Sequence, residues 1–135
     1  MILHLDTSFV VDLLREATRE RRGPASAFLQ QHLEDELRMS LFVACELWLG
    51  VERSDRGVQE RRRIDKLMTV VPVTLPGAAL PAVYGRTLAG LQRRGEVIAT
   101  MDLLIAASAL VEGVPLVTRN ASHFERVPDL KLLSY

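Results

Sequence analysis

The chain has 135 residues, is 48% hydrophobic and is formally neutral, with 17 basic residues against 17 acidic ones. That length supports one ordinary core and argues against two domains, and zero net charge excludes a global positive field that would attract nucleic acid or an anionic membrane. A single cysteine, Cys45, excludes an internal disulfide, and the absence of a basic leader before the first apolar segment predicts a cytoplasmic protein.

Residues 2–5 are a short apolar run, expected as a buried strand. Asp6, Thr7 and Ser8 follow, each able to cap a helix over about 9–16. A charged Gly-Pro break at 19–24 precedes a helical pattern over 25–33, with Phe28, Leu29 and Leu33 on one side. Residues 37–41 form the next apolar run. They lead into 43–51, apolar all round except for Glu46, the pattern of a helix buried on most faces. A charged helix is expected over 58–68, a third strand over 70–73, and a long helix over 78–94 that stops at Gly95. Thr100 is suited to cap an apolar helix over 101–112 that ends at Gly113, followed by a fourth strand at 115–118 and a last one near 131–133. No run of 18 apolar residues free of charge occurs, so no membrane span is expected. Short strands alternating with helices predict an α/β fold: a central, mostly parallel sheet of four to five strands with helices on both faces.

Three carboxylates interrupt this apolar pattern. Asp6 ends Ile-Leu-His-Leu, Glu46 lies inside Phe-Val-Ala-Cys-Glu-Leu-Trp-Leu-Gly, and Asp102 opens Met-Asp-Leu-Leu-Ile-Ala-Ala, with no Lys or Arg within three residues of any of them. An unpaired buried carboxylate costs several kcal/mol or shifts its pKa until neutral, so these acids need partners or a cation. Asp6 and Asp102 each have an alternative role at a helix start, as a cap or in the first turn. Glu46 has no such role, and its alternative is an ion pair with an Arg from elsewhere. Ligands of parallel sheets bind beyond the carboxyl ends of the strands, an address that residues remote in sequence can share. A hard, oxygen-loving ion such as Mg²⁺ or Mn²⁺ suits that acid set. Asn120 offers a further oxygen, or simply a turn residue, and Thr7, Ser8 and Thr118 offer hydroxyls that orient the acids or cap helices.

Other chemistries find less support. His4, His32 and His123 have no zinc-type spacing with Cys45, and Cys45 reads as a small buried hydrophobe. Ser8 and Ser108 lack the G-x-S-x-G elbow. A phospho-acceptor receiver domain needs a Lys after a late strand, where this chain has Arg119. Arginine clusters at 19–22, 61–63 and 93–94 read first as solvated helix faces, and for a nuclease as phosphate-holding patches. The Trp48-bearing helix is a candidate partner surface.

Four ordered motifs carry a resemblance: Leu-Asp-Thr-Ser, Ala-Cys-Glu-Leu-Trp-Leu-Gly, Met-Asp-Leu-Leu-Ile-Ala-Ala-Ser-Ala, and Leu-Val-Thr-Arg-Asn-Ala-Ser-His-Phe-Glu-Arg-Val-Pro-Asp-Leu. Together they resemble the PIN-domain ribonucleases and, within them, the VapC toxins. The resemblance spans residues 1–135 and implies a single PIN domain with a three-layer α/β/α fold. It implies an endoribonuclease dependent on Mg²⁺ or Mn²⁺, paired with a VapB antitoxin and expected as a homodimer. Asp6, Glu46 and Asp102 take the positions of the family's acidic metal-binding residues. Asn120 stands where many members carry an acid and Ser8 where many carry Asn, which leaves open whether one ion or two would bind. A catalytically silent module that only binds RNA or protein is the alternative reading.

Overall fold

The computed structural model describes residues 1–135 and realises the alternation as five strands and seven helices. Strand β1 (Ile2–Leu5) runs into α1 (Thr7–Thr18), and α2 (Pro24–Gln31) returns the chain to β2 (Glu36–Ser40). Helices α3 (Leu41–Arg53) and α4 (Gly57–Met68) lead to β3 (Val73–Thr74), and α5 (Leu80–Arg93) and α6 (Thr100–Glu112) to β4 (Leu116–Val117). The short α7 (Ala121–Phe124) precedes β5 (Leu132–Leu133).

Every strand pairing is parallel, in the order β3-β2-β1-β4-β5, and helices flank the sheet to give three α/β/α layers. A parallel sheet covered on both faces needs apolar strands. Leu3, Leu5, Leu116 and Val117 meet that need and are fully buried in one contiguous core. From β1 the chain steps outward to β2 and β3, then returns to β4 on the opposite side of β1. Such a reversal opens a crevice at the carboxyl ends of the two strands flanking it. Asp6 follows β1 there, and Thr118 follows β4.

Local chemistry sets the element ends. Asp6 is the N-cap of α1 and Ser40 that of α3, its Oγ accepting from the Val43 N–H at 3.3 Å. Gly113 ends α6 in the left-handed region (φ 67°), where a Cβ would be strained. Helix α2 starts at Gly23 and Pro24 with no cap of its own, and Glu16 of α1 supplies one: its carboxylate accepts from the N–H groups of Ala25 (3.1 Å) and Ser26 (2.9 Å). Partial desolvation alone would raise the Glu16 carboxyl. The bonds from Ser26, Ala25 and Gly23 outweigh that and hold it below the usual carboxylate range.

Several expectations shift. Thr100 is the first residue of α6 rather than its cap, the N-cap position being Ala99 without a side-chain bond. The third strand lies at Val73–Thr74 rather than 70–73, because the N–H groups of Val70 and Val71 bond back to the Leu67 carbonyl and close α4. Leu33 lies beyond the end of α2 and is 72% exposed, while Phe28 is buried as expected. Helix α3 is not buried on most faces: Cys45 and Leu49 are exposed and Glu46 is half-buried. Its apolar surface exceeds what the sheet and α4 cover, so Cys45 is a surface thiol rather than a core residue.

Candidate active site

The turn from β1 into α1 brings Asp6 into the crevice, 3% exposed. Its Oδ1 accepts from the Thr7 N–H at 2.8 Å, and its Oδ2 accepts from Ser8 Oγ at 2.9 Å and Thr118 Oγ1 at 2.7 Å. Hydrogen bonds to a charged group contribute about 1.5–3 kcal/mol each, so three donors offset much of the cost of burying this anion. Of the three residues able to cap α1, Asp6 is the one that does. Asp6 caps the helix with one oxygen and faces the crevice with the other.

The surrounding hydroxyls form a connected set. Thr7 Oγ1 donates to Glu46 Oε1 at 2.6 Å, which joins the half-buried glutamate of α3 to the residue next to Asp6. Ser8 Oγ lies 3.4 Å from Thr118 Oγ1 and accepts from the Arg119 N–H at 3.2 Å, and Thr118 Oγ1 accepts from the Asn120 N–H at 3.0 Å. Asn120 itself is exposed at the start of α7 and enters this network through its backbone. Arg119 turns away from the acids, its Nη1 2.7 Å from Asp12 Oδ1, and Tyr135 Oη donates to Asp12 Oδ2 at 2.8 Å.

Asp102 approaches from the first turn of α6. Burial pushes its carboxyl above the usual range, the facing His123 opposes that, and the charge of Asp6 adds to it. His123 Nε2 stands 2.9 Å from Asp102 Oδ2, yet the pair lacks hydrogen-bond alignment and this buried nitrogen has no partner. His123 is the residue that sequence reasoning missed. It lies in the quoted motif on α7, but nothing in its spacing marks it as a neighbour of Asp102.

The crevice thus holds two mutually repelling carboxylates, Asp6 and Asp102, with hydroxyls and a misaligned imidazole as their close neighbours. It is short of positive charge. No three His, Cys, Asp or Glu side chains converge into a ready cage. A hard divalent ion does not need one, since Mg²⁺ keeps several of its waters and binds through one or two carboxylates. The donors fit such an ion, with Asp6 and Asp102 as the residues able to hold it and Glu46 within reach through Thr7 or water.

The PIN domain profile matches residues 3–130 of the chain. The chain belongs to the PIN-domain family. Ribonuclease VapC2 of Rickettsia felis is 30% identical to this PIN domain over 135 residues, with 98% of this chain and 96% of that protein covered. Ribonuclease VapC1 of Haemophilus influenzae strain R2866 is 31% identical over 131 residues, covering 97% and 96%. These relatives put the PIN domain among the VapC ribonucleases. Its fold matches the crystal structure of VapBC2 from Rickettsia felis bound to a promoter DNA fragment, with TM-score 0.89, 28% identity and coverage of 100% and 99%. VapBC-1 from nontypeable Haemophilus influenzae matches with TM-score 0.81 and 28% identity over 99% and 98%.

Proposed function

We propose that this chain is a VapC-type endoribonuclease toxin that hydrolyses RNA phosphodiester bonds with Mg²⁺ or Mn²⁺ and is neutralised by a VapB-like antitoxin. The observation that carries the reading is the meeting of Asp6 and Asp102, 96 positions apart in sequence, at the switch point of a sheet whose relatives are named ribonucleases. The solved neighbours, named as VapBC assemblies, support the antitoxin partner. Exposed Leu49 and Val58 beside half-buried Trp48 are compatible with a homodimer, and the reading takes the protein to be cytoplasmic.

When bound, a divalent ion lowers the pKa of water and stabilises charge on a phosphoryl oxygen. Asp6 and Asp102 would hold it. Thr7, Ser8 and Thr118 fix the orientation of Asp6 before substrate arrives, so no reorganisation is needed during the reaction. Glu46, held by Thr7, would orient the attacking water. His123 sits where it can hold Asp102 in place or carry a proton at Nε2. No protein nucleophile is required, and exposed Cys45 stays outside the chemistry.

Purified, antitoxin-free protein is expected to cleave RNA only with Mg²⁺ or Mn²⁺, and Asp102→Asn to abolish cleavage. Equal cleavage by that variant, or in excess EDTA, would sink the mechanism. A silent binding module would instead bind RNA without cutting it under any metal condition.

A further inference from the structure

A groove of about 460 Å³ runs between α1, α3 and α4 with Glu46 in its wall. Its floor is apolar, with Leu14 and Leu47 among its residues, and its rims carry four exposed arginines: Arg15 and Arg19 on the α1 side, Arg56 and Arg63 on the α4 side. The arginine ion pairs of this molecule use Arg38, Arg94 and Arg119, so the four groove guanidiniums face solvent without a carboxylate partner. The two carboxylates in the groove are already engaged: Ser54 Oγ donates to Glu60 at 2.8 Å and Thr7 Oγ1 to Glu46 at 2.6 Å. A chain with no net charge has therefore gathered four guanidiniums against two carboxylates in a groove beside its acidic crevice.

We infer that this groove seats the single-stranded RNA next to the cleaved bond, with Arg15, Arg19, Arg56 and Arg63 contacting successive phosphates. The inference rests on the nuclease reading. An acidic crevice repels a polyanion, so the substrate needs cations nearby to be held against that repulsion. Arg15 and Arg19 are one helical turn apart, about 6 Å between their Cβ atoms, and Arg56 and Arg63 lie about 10 Å apart along α4. Charges on both rims suit a strand whose anions recur along its length. The apolar floor accepts splayed bases, and guanidinium planes stack on them. Glu46 joins the two regions, since its carboxylate lines the groove and is hydrogen-bonded to the residue beside Asp6.

The test is the salt dependence of RNA affinity, read by fluorescence anisotropy between about 50 and 200 mM salt. The probe is a labelled single-stranded RNA of mixed sequence and the protein is the full chain carrying Asp102→Asn, which prevents cleavage. Each phosphate contact contributes about 0.7 to the slope of log affinity against log salt, so adding Arg15→Gln with Arg63→Gln should lower the slope by about 1.4. Arg15→Lys with Arg63→Lys should restore it, and Arg86→Gln with Arg93→Gln on α5 should leave it unchanged. An unchanged slope in the groove pair, while the native chain still cleaves RNA, overturns the inference and spares the nuclease reading. Loss of antitoxin binding in that pair with RNA affinity intact makes the groove a protein site and overturns it equally. If the native chain neither binds nor cleaves RNA with metal present, the nuclease reading fails and the inference goes with it.

Discussion

The short bond from Thr7 Oγ1 to Glu46 Oε1 explains how a glutamate on an incompletely covered helix can serve a site centred on another element. Replacing the hydroxyl with a methyl keeps the volume and removes the donor. Thr7→Val is therefore expected to lower metal-supported RNA cleavage about 10–100-fold, the usual effect of losing a group that orients a ligand. Single-turnover assays check it, and near-native rates would remove Glu46 from the reaction. Glu46 was the acid most anomalous by sequence, for its neighbours predict burial. The structure answers with partial exposure and a hydroxyl partner instead of an arginine.

At the scale of elements, Glu16 links α1 to α2 by capping a helix start that lacks a cap of its own. Glu16→Gln should reduce stability by about 1 kcal/mol at neutral pH, measured by urea unfolding. The sign with pH follows from the depressed carboxyl. The folded state favours the ionised form, so this contribution is full above the ordinary glutamate value of about 4.3 and is lost as pH falls through the lower folded value. The difference between native and variant should accordingly vanish in acid. This cap was invisible in the sequence, where Glu16 reads as the polar end of one helix and Gly23-Pro24 as a break. By contrast the stops at Gly95 and Gly113 were legible, because both glycines adopt φ 67°, a conformation that needs no tertiary partner.

For the molecule as a whole, the turn that carries Asp6 is anchored from below by Phe9. Phe9 is fully buried and packs edge-to-face on Phe28 at 5.5 Å and on Tyr135 at 4.7 Å. Phe9→Ala should cost about 3–5 kcal/mol, seen as a lower denaturation midpoint, and should loosen the Tyr135 to Asp12 contact. Metal should act in the opposite sense. An ion that binds only the folded crevice stabilises by about 2.7 kcal/mol at 100 times its Kd, so Mn²⁺ should raise the Tm of the native chain and fail to raise that of Asp102→Asn. Equal shifts would place the ion elsewhere. The sequence by itself determined the α/β alternation, the apolar strands and the anomaly of Asp6, Glu46 and Asp102, because hydrophobic periodicity and the cost of burying charge are local properties. Only the tertiary structure decided the reversal of strand order at β1 and β4, the meeting of Asp102 with His123, and the surface position of Cys45. Those depend on which elements pack together, a matter of long-range contacts that no spacing along the chain encodes.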